Sequence, residues 1–510
     1  MRRLFLAVST LALLAAACRS APQPTPEATS EPSSEPSSAP GPEAPATPST
    51  DPEAFRDQPP TAGPAPELVL PRFEQAVLDN GLTVLVSTRK ELPLVFVGTA
   101  FAAGSATDPQ GKWGLADLTY KMMLEGAAGK DTLALDQAFQ NLGVSPSVSV
   151  GSDGAVLGVR VLRRNTEAAL ALLTQVVRQP TFAPKDFERR QKLQLAELVR
   201  ALGSPGFLAQ RAFLDVVFGA AHPYGHPTSG LPETVGSVTV RDVKGFYETH
   251  VGPRTTALVM TGDITLEQAV ALAKKSFGDW KGKAVLPPVP PAPPTPARDQ
   301  VVFVPKEGLD QTIVLMGRPG IAAGHGDESA LDLATTVFGG FFGSRLNMNL
   351  REDKGYSYGA NSGSDARLGV GPLTASSSVR ADVTGAAVTE FVNELKGLRE
   401  RPITPRELEP AREGLIRAFP GSFESVEGLG ASASELFLRR RPLDEYARTV
   451  AGLEKATPAE VQRVAEAYLS PDTMQIVLVG DPEAIQQQVG PLGLGKLVAR
   501  EPAKAPAPKP

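Results

Sequence analysis

Gly114-Leu-Ala-Asp-Leu-Thr-Tyr-Lys-Met-Met-Leu-Glu-Gly126 is the stretch on which the reading of this chain turns. Leu115, Leu118 and Met122 recur at i, i+3 and i+7, which predicts an amphipathic helix with one face in a core. Asp117 and Lys121 are four apart on a neighbouring face, with Tyr120 beside them. Alone, this is an ordinary helix with an acid-to-base pair worth about 0.3–0.5 kcal/mol.

The flanks change that reading. Leu78-Asp-Asn-Gly-Leu-Thr-Val-Leu85, Ala103-Gly-Ser-Ala106 and Gly114-Leu-Ala116 precede the helix. With them the region resembles the pitrilysin/insulinase-type zinc peptidases, the inverzincins. In that family H-x-x-E-H follows: two histidines bind zinc and the glutamate is general base to the zinc-bound water. Here Asp117, Tyr120 and Lys121 hold those positions. The resemblance implies a third ligand on a later helix, and Glu197 in Gln194-Leu-Ala-Glu-Leu198 matches it. A lysine ammonium has no lone pair for a metal, and a phenol is a poor base at neutral pH. We therefore expect no metal on this chain. Charge balance places the Lys121 ammonium between Asp117 and Glu197, where the metal would sit.

A chain of 510 residues predicts two domains of about 200 residues each. The net charge of −5 gives no reason to expect nucleic-acid binding. Residues 1–18 read as an export signal, with Arg2 and Arg3 before the apolar run Leu4–Ala17. Leu14-Ala-Ala-Ala-Cys18 resembles a lipoprotein signal, with Cys18, the only cysteine, as the lipid attachment site. A plain secretory cut at Ala17 is the other reading. Arg19 rather than aspartate after the cysteine resembles outer-membrane cargo facing the periplasm. Residues 19–66 read as a disordered Pro/Ser/Glu-rich tether.

The folded body occurs twice. A helix with a Thr N-cap, a Pro stop and a buried strand ending Gly-Asp recurs in register. Thr239 and Thr457, Pro253 and Pro471, and Asp263 and Asp481 are each 218 apart. The boundaries read as a first domain over 67–284, a Pro-rich linker over 285–298, a second domain over 299–490, and a disordered tail over 491–510. The resemblance implies an α+β fold: two homologous domains, each with helices on an antiparallel-rich sheet, forming a clam-shell.

The second copy contains Gly339-Gly-Phe-Phe-Gly-Ser-Arg-Leu-Asn-Met-Asn-Leu-Arg-Glu-Asp-Lys-Gly-Tyr-Ser-Tyr-Gly-Ala360. This is similar to the family's segment ending in an arginine–tyrosine pair, which implies that Arg351 and Tyr358 are that pair. Both can donate to the oxygen that gains charge when water attacks a peptide carbonyl. His222-Pro-Tyr-Gly-His226 has ligand-like spacing, but Pro223 and Gly225 break a helix there.

The leading expectation is a subunit inactive alone, which supplies Arg351 and Tyr358 to peptide hydrolysis by a zinc-bearing homologue in a heterodimer. The zinc is then the partner's. Two alternatives stand beside it. One is a non-catalytic peptide-binding or assembly protein of the cell envelope. The other is a metallopeptidase with atypical ligands.

Overall fold

The computed structural model describes residues 68–501. The first lobe holds strands β1 (Glu74–Val77), β2 (Thr83–Thr88), β3 (Leu94–Phe101), the small hairpin β4 (Gly126–Ala127) and β5 (Lys130–Asp131), then β6 (Ser147–Val150), β7 (Ala155–Leu162) and β8 (Thr256–Gly262). Its main sheet runs β1-β2-β8-β3-β7-β6. The second lobe holds β9 (Gln300–Pro305), β10 (Gln311–Pro319), β11 (Ser357–Ser364), β12 (Pro372–Arg380), β13 (Gln475–Gly480) and β14 (Lys496–Ala499). Its sheet runs β11-β12-β10-β13-β9-β14. Five strands of each sheet lie in the same order: β2-β8-β3-β7-β6 matches β9-β13-β10-β12-β11. Within each set one neighbouring pair is parallel, β2 with β8 and β9 with β13. The repeat read from the 218-residue offsets is therefore a repeat of topology.

The helices that announce the repeat form for the expected reason. Val240–His250 and Pro458–Tyr468 start at Thr239 and Thr457, whose hydroxyls accept from the N–H groups of Asp242 and Glu460. Each acid reaches back to the threonine N–H, closing a capping box. The strand after each helix, β8 or β13, is buried at every residue, because both faces of the sheet are covered.

What covers the second face is an exchange of helices. Pro205–Phe218, in the first half of the sequence, packs Leu208, Phe213 and Val217 onto Val302, Val304, Val477 and Val479 of the second sheet. Val426–Leu438, in the second half, packs Leu429, Ala433 and Leu436 onto Leu85, Phe96, Ala100 and Val259 of the first. Phe96 is the keystone of that second contact. Its ring lies over Gly98 and Gly158 of adjacent strands and over Gly430 of the incoming helix. A Cβ on Gly430 would stand 2.3 Å from the ring.

One boundary differs from expectation. The second lobe does not end at 490. Lys496–Ala499 form β14, parallel to β9, and Arg500 donates through its backbone to the Phe303 carbonyl. Leu497 and Val498 give this short strand an apolar core-side character that the Gly-rich approach to it hides. The proline linker has no regular structure, yet it is strapped to the body: the His222 ring donates to the Pro291 carbonyl and the Arg440 guanidinium to the Pro287 carbonyl. Residues 1–67, with Cys18 and the whole tether, lie outside the described residues, as does the tail from 502. Among the described residues no helix is long and apolar enough to cross a membrane.

Candidate active site

The motif helix runs Leu115–Met123. Its N-cap, Gly114, has φ 95°, and a Cβ there would stand 2.6 Å from the Ser229 carbonyl oxygen, so only glycine fits. The helix start is held by the buried Asp108, whose two oxygens accept from the Gly114 and Ala116 N–H groups at 2.7 Å each. This caps the first turn from outside the helix.

Tyr120 does not face a site at all. It is fully buried, stacks on Phe101 with centroids 5.1 Å apart, and donates its hydroxyl to the Ala103 carbonyl at 2.7 Å. Burial drives its pKa further up. It is a core residue and cannot take a proton from water.

Asp117 is buried and its Oδ2 lies 2.7 Å from the Lys121 Nζ. Burial pushes the Asp117 carboxyl above its usual range; Lys121 and Arg190 pull it back down, and the Glu197 charge pushes it up again. Among the described residues Lys121 pairs with Asp117 alone. Among the described residues no ion pair joins it to Glu197, contrary to the bridging position expected. Glu197 pairs instead with Arg190 at 3.3 Å. Both lie on the helix Pro184–Ala201, seven residues or two turns apart on one face. The cluster is thus two acids and two cations, each acid with a cation of its own. Arg190 was the unread member; its i, i+7 spacing to Glu197 was the available signal. This donor set does not suit zinc. Each carboxylate is already paired with a cation, and neither an ammonium nor a guanidinium offers a lone pair to a metal. Among the described residues no group of three metal-ligating side chains occurs.

Arg351 and Tyr358 lie in the second lobe. Arg351 sits in the turn Met348–Asp353, with its guanidinium 4.8 Å from the Phe342 ring centroid and its Nε 3.2 Å from Glu352. Tyr358 is the second residue of the edge strand β11, where the register with β12 shifts between Ser357 and Ala360. The bulge re-aims the side chain, which is 90% exposed. The two elements are pinned together by Asn347. Its amide donates to the Phe341 and Ala360 carbonyls at 3.0 and 2.9 Å and accepts from the Ala360 N–H at 2.8 Å. Asn347 was not foreseen as a positioning residue; only its place in the matched segment marked it. Among the described residues no hydrogen bond or ion pair links Arg351 or Tyr358 to Asp117, Lys121, Arg190 or Glu197.

Family models match both halves: one described as insulinase (peptidase family M16) over residues 83–204, and one described as peptidase M16 inactive domain over 237–415. Together they span more than half of the chain. The protein belongs to peptidase family M16. Its relatives include an uncharacterized zinc protease of Rickettsia bellii, 25% identical across 67% of this chain and 81% of that protein. The zinc protease PqqE of Helicobacter pylori is 22% identical across 78% and 90%. Among solved structures, the peptidase M16 inactive domain from Pseudomonas fluorescens aligns at TM-score 0.74 and 26% identity, covering 80% of this chain and 98% of that one. The first half of the periplasmic protease PqqL from Escherichia coli aligns at TM-score 0.67 and 17% identity, covering 82% and 95%. This M16 chain has the family's two homologous domains with the motif positions filled by Asp117, Tyr120 and Lys121.

The two histidines of the His-Pro-Tyr-Gly-His stretch part company. The His222 ring accepts from the Tyr224 N–H, while His226 stacks on Trp113 with centroids 4.0 Å apart. Between them, Tyr224 joins the lobes: its hydroxyl donates to Asp153 of the first, and the Gly369 N–H of the second donates to it at 3.0 Å. Burial lowers the His226 pKa to about 4, against about 6.5 unfolded. Its neutral form is the one the fold accepts. That contribution is complete above pH 6.5 and is lost as pH falls toward 4, because the unfolded chain then binds a proton the folded chain refuses. The expected loss is about 3 kcal/mol across that window. His226→Phe keeps the stack and is expected to flatten this part of the profile; urea unfolding of both forms from pH 7 to pH 4 checks it.

Proposed function

We propose that this protein is an M16 subunit without a metal of its own. It pairs with a zinc-bearing homologue and contributes Arg351 and Tyr358 to hydrolysis of a bound peptide. The observation that carries the reading is a contrast. The hydrolytic positions on the motif helix are locked into an ion pair and a core hydrogen bond. Tyr358 meanwhile stands 90% exposed on a bulged edge, beside an Arg351 held over Phe342. An exposed phenol and a guanidinium oriented by Phe342 and Glu352 suit a carbonyl oxygen presented from another chain. The same reading takes Cys18 as a lipid anchor, with the body tethered at the outer membrane on the periplasmic side.

Purified alone, the full-length chain is expected to retain less than about 0.1 zinc per protein after dialysis against the free ion, since ligands must be unprotonated donors. It is also expected to cleave no unstructured peptide. Metal analysis together with a fluorogenic-peptide assay reads both. Stoichiometric zinc with turnover by the isolated chain would sink the proposal.

A further inference from the structure

The proline linker has no hydrogen-bonded secondary structure, but its burial is periodic. From 284 to 297, Ala284 is buried and Pro287, Pro290 and Pro293 are half-buried, while every other residue is exposed. A repeat of three is that of a polyproline II helix, which makes no internal hydrogen bonds. One of its three faces rests on the body and the other two meet water.

The resting face is held from both lobes. Ala284 lies on Gly252 of the first, where an added Cβ would stand 3.0 Å from the alanine methyl carbon. Pro290 lies on Gly369 of the second. A Cβ there would stand 3.0 Å from the Pro290 carbonyl oxygen and 3.4 Å from the Tyr224 ring. Beside this contact Phe218, His222 and Tyr224 form one aromatic cluster, with centroids 5.2, 5.6 and 5.9 Å apart. Two donors reach carbonyls that a polyproline II helix leaves free. The His222 Nδ1 accepts from the Tyr224 N–H, so the proton is on Nε2, 2.9 Å from the Pro291 carbonyl oxygen. The Arg440 Nη2 donates to the Pro287 carbonyl at 2.6 Å. Arg440 has φ 53°, at the end of the Val426–Leu438 helix where glycine is the usual residue. A side chain there strains the backbone, and this one supplies the grip on the linker. Aromatic rings with donors aimed at free carbonyls are what proline-rich ligands dock on.

We propose that this seat is a polyproline II-binding groove whose ligand, bound in cis, is the chain's own linker. His222 and Arg440 stand just beyond the two exchanged helices, so the docked linker clasps the lobes at both crossings. The assignment is independent of the proposed role of Arg351 and Tyr358.

A full-length chain carrying Pro287→Gly, Pro288→Ser, Pro290→Gly, Pro291→Ser, Pro293→Gly and Pro294→Ser keeps the lobes joined and empties the seat. A dye-labelled synthetic peptide with the parent sequence of residues 284–297 is expected to bind it with half-saturation below about 1 mM. The parent should bind that peptide at least about tenfold more weakly, because its own linker competes at an effective concentration of about millimolar. Adding Arg440→Gly suits the backbone and removes only the donor, and it should weaken the peptide at least about fivefold. Peptide register is the sharper test: Pro290→Gln, on the resting face, should abolish binding, and Pro288→Gln, facing water, should leave it within about twofold. The same pair placed singly in the otherwise unaltered chain reads docking in cis, whether or not the sixfold variant folds. Trypsin nicking after Lys283, which needs Ala284 to lift, should quicken at least about fivefold with Pro290→Gln and stay within about twofold with Pro288→Gln. No peptide binding to the emptied chain up to about 5 mM, or equal responses to the two glutamine substitutions in either measurement, would overturn the assignment.

Discussion

Mixed with a zinc-bearing M16 homologue, this chain is expected to support peptide cleavage that Arg351→Ala lowers by about 10²–10³-fold in kcat/KM. The size follows from what is removed. A guanidinium aimed at a developing oxyanion acts in a water-poor site, where a charged donor is worth far more than on a free surface. Tyr358→Phe deletes one neutral donor and is expected to cost about 10–10²-fold, a smaller share. Neither variant should alter folding, since Tyr358 packs against nothing and the Arg351 side chain is 45% exposed. Circular dichroism and urea midpoints should match the parent, which separates lost chemistry from lost structure. Asn347→Ala provides a third comparison. It frees the turn carrying Arg351 from β11, so kcat should fall while Arg351 and Tyr358 both remain present. If Arg351→Ala and Tyr358→Phe leave the mixed activity within about twofold of the parent, these side chains do not work on the partner's substrate.

The largest stability effect is expected at Gly430. Replacing a helical glycine by alanine ordinarily gains about 1 kcal/mol of helix propensity. Here the added Cβ would meet the Phe96 ring at 2.3 Å, and the ring itself rests on Gly98 and Gly158 with no room to retreat. The overpacking cost of about 1–3 kcal/mol therefore exceeds the gain. Gly430→Val adds branching and is expected to lose about 3 kcal/mol or more, read as a drop in the urea midpoint. Phe96→Ala in the same chain should return part of that loss, because the two sites share one volume. A Gly430→Val protein as stable as the parent would mean that the Val426–Leu438 helix does not seat on the first sheet as described.

Much of this architecture was readable in the residues because local chemistry and tertiary role coincide. Thr239 and Thr457 cap helices in isolation as well as in the fold, and a buried strand needs apolar residues wherever it lies. The exchanged helices were not readable. Pro205–Phe218 and Val426–Leu438 have apolar faces like any core helix, and periodicity says that a face is covered without saying by which lobe. The same limit hid β14, four residues whose strand character comes from β9. At the candidate site, Asp117 and Lys121 met as an i, i+4 pair must. Glu197 found a nearer cation in Arg190, because a partner on the same helix needs no reach across to another. Tyr120 marks the boundary of motif reading: spacing located the residue, but only the Ala103 carbonyl and the Phe101 ring reveal that it turned inward.

The helix exchange makes the molecule equivalent to a domain-swapped dimer whose two protomers have been fused end to end. Cut within the exposed proline stretch, each half would carry a helix fitted to the other and a sheet with one bare apolar face. Co-expressed halves should then reassemble as a stoichiometric complementation pair, while either one made singly should aggregate.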